Sequence, residues 1–366
     1  MAHPEIGIEF RKEGGQKMRI HKAMTFCVFC ISFSTIVFSF PNYGSSPHAW
    51  AASEVELMEG VKKEGKVVWY TSIPSDANVA LVRAFEKKYA FSKVDVYRTN
   101  NPGLLNRVEN EARAGKHLWD VISTAGFQTY TLKKRNFLAK YISPEATAVP
   151  EKFKDPNGYW TTIYQLPLVF AYNTNLVSSK DIPQSYGDLL DPKWKGKMAL
   201  DAKDVEWFAN ILKIRGEKEG QEYMRKLATQ DLRLVEGHSL QTQLMAAGEF
   251  ASAVNVYIHV IEKIKEQGAP VDWVPFDPVV TYVHAGSLSA NSLHPHGAKL
   301  LLDFLLSKEG QGVLASFSSV VIRSDVPLRS SRPVKGIRFW PSDMTMAESY
   351  NKYLNQFREI FLKGER

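Results

Sequence analysis

Two short runs of hydroxyl-bearing and small residues end apolar segments of strand length. The runs are Tyr70, Thr71 and Ser72, and Ser123, Thr124 and Ala125. Where a strand gives way to a helix, side-chain hydroxyls and unpaired backbone N–H groups can bind a polar group of a ligand, an anionic group above all. Ordinary turn formation explains the same residue types. The pattern therefore predicts a candidate binding edge, with turn formation as the alternative.

Carboxylates and an aromatic ring are combined near the middle of the sequence. Asp204, Glu206 and Trp207 lie where a helix is predicted to begin. The carboxylates could contact an amine or a cation, and the indole could stack on a cation or a ring. Acidic residues are also favoured at a helix start by the helix dipole, and an aromatic residue by core packing. Ligand binding and a structural role both stay open for these residues.

Asp277 and Tyr282 belong to a long, mostly apolar segment over residues 274–290. A segment of this length could run from one half of the protein to the other. Its polar side chains would then lie where the two halves meet. We expect Asp277 and Tyr282 either to contact a ligand there or to hold a hinge.

Several kinds of chemistry are excluded by composition and motif. Both cysteines, Cys27 and Cys30, lie in an N-terminal apolar run, so the rest of the chain has no thiol for catalysis or for an iron–sulfur cluster. The sequence contains no H-E-x-x-H spacing, G-x-S-x-G elbow, P-loop or dinucleotide-binding fingerprint. His294 and His296 flank Pro295, which is typical of the first turn of a helix. We therefore predict that the protein is not an enzyme and has no resident cofactor.

A regular alternation of strands and helices must position the candidate residues. The pattern predicts helices over 53–65, 75–89 and 101–115 and strands over 66–72, 93–99 and 118–124. Ser53, with Glu56 three residues later, would form a capping box at the first helix. A β-α-β-α-β order favours a parallel sheet covered by helices.

Two later segments, 164–174 and 274–290, have the character of long strands that could link two halves. Between and after them, the pattern predicts strands over 197–202, 232–236 and 251–257 and helices over 204–214, 217–227, 239–249, 258–268 and 295–306. A last helix carries an apolar stripe that favours core packing, formed by Tyr350, Tyr353, Leu354, Phe357, Ile360 and Phe361. The sequence thus predicts two α/β lobes with a ligand cleft at the carboxyl ends of the strands.

The first 51 residues are predicted to be a secretory signal peptide. Basic residues precede an uncharged, mostly apolar run over 23–40, and a turn-rich stretch ends in Ala49-Trp50-Ala51, a small-x-small cleavage pattern. A membrane anchor is the alternative, but this run of 18 residues is short for a span and includes three serines. Translation from Met18 would give a more typical signal peptide. We expect cleavage near Ala51 and a soluble periplasmic product.

The 366-residue chain has the composition of an ordinary globular protein, with 44% hydrophobic and 23% charged residues. Its length corresponds to about two domains. The formal charge of +7 comes from 46 basic and 39 acidic residues, and the basic residues show no nucleic-acid-binding signature. We therefore expect that the protein does not bind nucleic acid. We also expect it to be a monomer.

Six segments of the sequence share an order and spacing with a known family. They are VVWYTSIPSDANVALVRAFEKKY, WDVISTAG, LPLVFAYNTNLV, DPKWKGKMALD, LMAAGEFASAVNVY and AKLLLDFLLSKEGQ. In this order they resemble the extracellular solute-binding proteins of ABC importers, nearest the branch of the ferric-iron-binding proteins. The resemblance implies the type 2 periplasmic binding-protein fold, whose lobes close over a solute and present it to an inner-membrane permease. We assign residues 52–168 and 283–325 to lobe I, and 169–282 and 326–366 to lobe II.

The resemblance also bears on the ligand. In the ferric-binding branch, a Tyr-Tyr pair after the strand matching ASAVNVY holds the metal, often with a His and a Glu from the first lobe. Here the pair reads Tyr257-Ile258, and the His and Glu positions fall near Ile73 and Thr124. The segment matching the family's anion cradle, 203–205, carries Asp204, whose carboxylate would repel an anion. These departures predict a small polar organic solute, amine-bearing or carboxylated, contacted by Tyr257.

Ferric iron with Tyr257 as a ligand is the alternative to an organic solute. Two other functions also stay open at this point. One is a sensory or scaffold protein that retains the binding fold, and the other is a secreted hydrolase, for which no catalytic constellation is visible in the sequence. A component of an importer is the function that the segments favour.

Overall fold

The computed structural model describes residues 47–317, 320–327, 334 and 336–362. Most of the predicted signal peptide therefore lies outside the described residues. The N-terminal part alternates helices and strands in the order α1 (Pro47–Glu64), β1 (Lys66–Thr71), α2 (Ser75–Lys88), β2 (Lys93–Arg98), α3 (Asn101–Arg113), β3 (Val121–Ala125), α4 (Gly126–Lys134) and β4 (Leu138–Ala139).

A long strand opens the middle part of the chain. The order there is β5 (Thr161–Asn173), β6 (Met198–Asp201), α5 (Val205–Arg215), α6 (Glu217–Ala228), β7 (Arg233–Val235), α7 (His238–Ala247), β8 (Ser252–Tyr257), α8 (Ile258–Glu266) and β9 (Val271–Val274). The remaining elements are β10 (Val279–Ser289), α9 (Pro295–Leu306), α10 (Lys308–Ala315), β11 (Val320–Val321), β12 (Phe339–Pro341) and α11 (Tyr350–Phe361).

The strands form two sheets that share β5. In the first sheet, β1 pairs in parallel with β2 and β3, and β10 runs antiparallel to β3 and to the first half of β5. In the second sheet, the later half of β5 is antiparallel to β8 and β9, while β6 is parallel to β7 and β8. Strand β5 changes partner after Pro167, which lies opposite Thr281. Proline has no N–H to donate, so the ladder ends where the strand passes to the second sheet.

Each sheet is covered by helices that bury large apolar side chains. Trp69 and Phe85 lie in the core around the first sheet, where the Phe85 ring meets Phe304 of α9 edge-on at 5.5 Å. Trp207 and Phe357 lie in a core beside the second sheet. Because each sheet has its own covering helices, the chain has a core on either side of the shared strand.

The two long crossing segments predicted from the sequence are present as β5 and β10. Near Tyr164 and His284 their register slips by one residue, which leaves Ile163 as an extra residue of β5. The carbonyl of Ile163 then accepts a hydrogen bond from the Gln311 side chain at 2.8 Å. A side chain of α10 thus satisfies the backbone group that the irregularity frees from the ladder.

Most element boundaries agree with the sequence pattern to within a few residues, but α1 does not. The helix begins at Pro47, so Ser53 is an interior residue and the predicted capping box at its start is wrong. Helices α4 and α10 were not predicted. The sequence of α4, GFQTYTLKK, mixes Gly, Thr and aromatic residues, whose helix propensity is low.

The apolar stripe of α11 packs into the core beside the second sheet, as predicted, except for its first residue. Tyr350 is 38% exposed and lies outside that core. Within the described part of the chain, no helix combines the length and the apolar character needed to cross a bilayer.

Candidate functional site

A cavity of about 660 Å³ lies between the two sheets. Strands β3, β6 and β8 end at its border, at Ala125, Asp201 and Tyr257. The carboxyl ends of strands are where ligands bind in open α/β sheets. The residues that line the cavity are Asn101, Pro102, Ala125, Phe127, Gln128, Thr131, Leu166, Asp201, Lys203, Asp204, Glu206, Glu236, Gly237, His238, Tyr257, Tyr282, Ala347 and Tyr350.

Asp204 is the most strongly held carboxylate of the cavity. It caps α5 by accepting the N–H of Trp207 at 3.0 Å, and it also accepts the Asn255 amide at 2.7 Å and the Tyr282 hydroxyl. The residue is 6% exposed. Burial raises its pKa above the ordinary value, against the opposing effects of His238 and Tyr282. The predicted helix-start role of Asp204 is therefore confirmed, and its carboxylate lines the cavity as well.

Asp201 and His238 lie with Asp204 on the side of the cavity that belongs to the second sheet, which we call the second-sheet wall. Asp201 accepts the backbone N–H groups of Lys203 at 2.9 Å and Gly237 at 3.1 Å. The Nδ1 atom of His238 lies 2.9 Å from the carbonyl oxygen of Asn255, and since a carbonyl can only accept, Nδ1 carries the proton and donates it. The other ring nitrogen, Nε2, lies 3.6 Å from the Asp204 carboxylate. The imidazole is thus oriented by one backbone group and two carboxylates.

Tyr257 and Tyr282 bring two phenols to the same wall, with ring centroids 6.0 Å apart. The Tyr257 ring also stacks on His259 at 5.4 Å and meets His238 edge-on at 4.2 Å. Among the described residues, no side chain or backbone group hydrogen-bonds the Tyr257 hydroxyl, so it is available to a ligand. Burial, followed by the charge of Asp204, raises the pKa of both phenols well above the ordinary value. Both are therefore neutral hydrogen-bonding groups near pH 7.

Glu206 lies on the first turn of α5 and is half-buried. Burial is the main cause that raises the pKa of its carboxyl to about 8. Among the residues that the structure describes, four carboxyl side chains line the cavity, and the only Lys or Arg in the lining, Lys203, is paired with Glu236. A cationic or amine-bearing group bound at the second-sheet wall would favour the ionised form of these carboxyl groups, whereas an anion would oppose it.

The first-sheet wall has a different chemistry. It consists of Asn101 at the start of α3, with Ala125, Phe127 and Gln128 at the start of α4. The N-cap position of α4, Ala125, offers no side chain to cap the helix. The wall carries amide groups and an aromatic ring and no carboxylate.

Four of the predicted hydroxyl-bearing residues do not line the cavity, and two of them hold the side chain of Asn101 instead. Ser72 and Thr124 both donate hydrogen bonds to its side-chain oxygen. Thr71 and Ser123 are fully buried and joined to each other at 2.8 Å. Of the two predicted runs, Ala125 alone lines the cavity.

Tyr70, Trp207 and Asp277 lie away from the cavity lining. The Tyr70 hydroxyl donates to Glu111 at 2.7 Å, and mainly burial raises its pKa to about 12. Trp207 is fully buried in the core beside the second sheet. Asp277 forms an exposed ion pair with Arg338 at 2.9 Å. The other predicted residues, Asp204, Glu206, Tyr257 and Tyr282, are brought together on the second-sheet wall.

The side chains around the cavity offer few groups that could bind a metal ion. Among the described residues, no three His, Asp or Glu side chains converge as a metal site. Ile73 and Thr124, at the positions where the ferric branch has its His and Glu, are buried. The two phenols, Tyr257 and Tyr282, are the groups that could bind a hard cation. The Tyr282 hydroxyl already donates to Asp204.

Sequence reasoning missed Asn101, Gln128, Asp201, His238 and Tyr350 as lining residues. For Asn101 a signal was present, since N-N-P follows a predicted strand and opens a predicted helix. His238 follows Gly237 at the start of α7 and could have been found in the same way. Tyr350 comes from the C-terminal helix, and no local pattern places that helix beside the cavity.

Comparison with known proteins bears on both fold and family. The profile of the family described as bacterial extracellular solute-binding protein matches residues 117–335. The Fe(3+)-binding periplasmic protein of Serratia marcescens is 25% identical over 190 residues, 48% of this chain and 56% of that one. A candidate 2-aminoethylphosphonate-binding periplasmic protein of Salmonella typhimurium is 24% identical over 260 residues, 66% of this chain and 75% of that one.

A solved structure agrees with the fold described above. Iron-bound HitA from Pseudomonas aeruginosa superposes with a TM-score of 0.70 at 21% identity, over 81% of this chain and 99% of that one. The two sheets, the shared strand and the cavity between the sheets are those of the type 2 periplasmic binding-protein fold. The profile match covers more than half of the residues and includes most of the second-sheet wall. The chain belongs to the family of bacterial extracellular solute-binding proteins.

Proposed function

We propose that this protein captures a small polar organic solute that bears an amine, and delivers it to the permease of an ABC importer. The observation that carries the proposal is the acidic second-sheet wall, where Asp201, Asp204 and Glu206 surround an available Tyr257 hydroxyl. An ammonium group has three donors and a positive charge, and both match such a wall. The amine-containing compound in the name of the Salmonella relative supports this class of ligand.

Capture depends on contacts from both sheets. The cavity is lined by the start of α4 on one side and by the start of α5 on the other. A solute that touches both walls stabilises the closed arrangement relative to the open one, by the contacts that form only on closure. The permease would then recognise the closed surface. No step in this cycle requires a chemical change of the solute.

The organisation of the chain is part of the same proposal. We propose lobe boundaries at 52–168 with 283–325 and at 169–282 with 326–366, and a monomer released into the periplasm by cleavage near Ala51. Since α1 begins at Pro47, cleavage there would remove its first residues and leave the rest of the helix at the new N-terminus.

Ferric iron is the second candidate ligand. The observation that favours it is the pair of phenols, Tyr257 and Tyr282, 6.0 Å apart between ring centroids, together with the iron-binding relatives. The raised pKa values oppose it, because ferric iron binds phenolate oxygen and ionising these buried phenols costs free energy. Iron would therefore need to displace two protons inside an acidic wall.

Isothermal titration calorimetry of the exported protein tests the proposal. The panel should contain amine-bearing solutes, their uncharged hydroxyl analogues and ferric citrate. We expect heat with an amine and none with its hydroxyl analogue, and no ferric–phenolate colour. Saturable binding of ferric iron with visible colour would identify ferric iron as the ligand instead. Turnover of a solute without stable binding would refute both.

A matched pair of variants locates the bound amine. Glu206→Gln removes a carboxyl that lines the cavity, and Glu222→Gln removes one on the exposed surface of α6. We expect the first variant to weaken amine binding and the second to leave it unchanged. Equal affinities of both variants would place the amine elsewhere.

A further inference from the structure

Asn101 is a hydrogen-bond donor whose orientation the structure fixes. Its side-chain oxygen lies 3.1 Å from the backbone nitrogen of Ala125. A backbone N–H can only donate, so the atom facing it must be the amide oxygen Oδ1 and not the amide nitrogen. Thr124 donates to the same oxygen at 3.0 Å, and Ser72 donates to it as well. The identity of the two amide atoms thus follows from the partners.

The amide nitrogen of the same side chain has no partner within the described part of the chain. Among the described residues, no group accepts a hydrogen bond from Asn101 Nδ2, and the residue lines the cavity. The three donors on Oδ1 come from the residue that follows β1 and from two neighbouring residues at the end of β3, so two segments of the chain hold the amide oxygen in place. A donor oriented in this way loses little freedom when it binds a ligand. Its natural partner is an acceptor, such as a carboxylate or phosphonate oxygen.

The two walls therefore favour ligand groups of opposite charge. The first-sheet wall offers the Asn101 N–H groups, with the Gln128 amide beside them and no carboxylate. The second-sheet wall offers Asp201, Asp204 and Glu206. A solute with only an amine would leave the Asn101 donors unmatched, and a solute with only an anionic group would meet the carboxylates. Both mismatches weaken binding.

We infer that the solute is a zwitterion, with its anionic end on Asn101 and its ammonium end on the wall of Asp204 and Glu206. This inference rests on the proposed function and specifies its substrate class. It makes Asn101 the residue that selects for the anionic end. A single polar molecule then bridges the two sheets, and its length must match the distance between the walls.

The test uses a series of probes and calorimetry on the exported protein. The probes are straight-chain ω-amino acids from glycine to 6-aminohexanoate and the aminoalkylphosphonates of one to four carbons, with butylamine, butyrate and ferric citrate for comparison. We expect one chain length of the zwitterions to bind at least tenfold more tightly than butylamine or butyrate. Tight binding of butylamine, butyrate or ferric citrate, with no zwitterion bound, would overturn the inference. The protein would still be shown to bind a solute. Absence of binding by every probe would overturn both the inference and the proposed function.

The variant Asn101→Asp isolates the role of the amide. It keeps the oxygen that Ser72 and Thr124 contact but replaces the free N–H groups by a negative oxygen. We expect this variant to lower the affinity for the zwitterion at least tenfold and not to lower the affinity for butylamine. Asn100→Asp is the matched control, since Asn100 caps α3 through its oxygen, does not line the cavity and gains the same charge one residue away. Equal losses in the two variants, or loss of butylamine affinity in Asn101→Asp, would overturn the role of Asn101.

Discussion

Replacing Glu206 by glutamine should change how the stability of the protein depends on pH. Burial raises the pKa of the Glu206 carboxyl from the ordinary 4.5 to about 8 in the folded protein. In the unfolded chain the carboxyl is in water and keeps its ordinary pKa. Folding therefore favours the protonated form, so the folded state is most stable below pH 4.5 with respect to this group. That stability is lost as the pH rises from about 4.5 to about 8.

The size of the effect follows from the two pKa values. They differ by about 3.5, and at about 1.4 kcal/mol per pH unit this sets an upper limit of about 5 kcal/mol. Glu206 is half-buried beside an open cavity, and water there screens the charge. We therefore expect a loss of about 1–3 kcal/mol in the wild type between pH 5 and pH 9. Glutamine does not ionise, so the variant should lack this loss.

Urea denaturation of the two proteins at pH 5, 7 and 9 measures the effect. The difference in unfolding free energy should move in favour of Glu206→Gln as the pH rises, because contributions of other groups cancel between the proteins. Glu222→Gln is the control: the Lys226 side chain lowers the pKa of Glu222, so its removal should bring no such gain. A difference between wild type and Glu206→Gln that is the same at pH 5 and pH 9 would refute the claim that burial destabilises the charged carboxyl.

Three further substitutions test other parts of the structure. Tyr257→Phe should weaken solute binding by about 1–3 kcal/mol, because the partner of the lost hydroxyl stays buried and unpaired; unchanged calorimetric affinity would remove Tyr257 from the site. Phe357→Ala should lower the unfolding free energy by about 3–5 kcal/mol, since the fully buried ring meets Phe208 at 5.7 Å; a loss below about 1 kcal/mol in urea denaturation would contradict that packing. Asp277→Asn should change stability by less than about 0.5 kcal/mol and leave binding unchanged, because its ion pair with Arg338 is exposed; a calorimetric loss would restore Asp277 as a site residue.

The sequence predicted the two α/β halves and the crossing strands because hydrophobic periodicity and length are local signals. Of the second-sheet wall it singled out Asp204, Glu206 and Tyr257, which lie at the ends of predicted elements, but it missed Asp201 and His238. Parallel strands end at a common edge, so residues far apart in sequence could be brought together by topology alone.

The first-sheet wall could not be predicted in the same way. Ser72 and Thr124 are the last residues of two predicted strands, but their hydroxyl groups both hold Asn101. Which of several polar groups at a strand end faces the ligand depends on hydrogen bonds between elements, and these leave no local pattern in the sequence. The same holds for Trp207, whose ring faces the core although its neighbour Glu206 faces the cavity.

The segment from β12 to α11 is a third link between the two halves, in addition to the crossing strands β5 and β10. Met344 packs in the core of the first sheet, and Phe357 packs in the core beside the second. Between them, Glu348 accepts a hydrogen bond from Tyr130 at 2.5 Å and pairs with Lys134 at 3.0 Å, both on α4. A hinge motion that widens the cleft must therefore move α4 together with this C-terminal tether or rupture both contacts. Both contacts are exposed and contribute little, so the tether resists such a motion weakly through them and mainly through its packing in both cores.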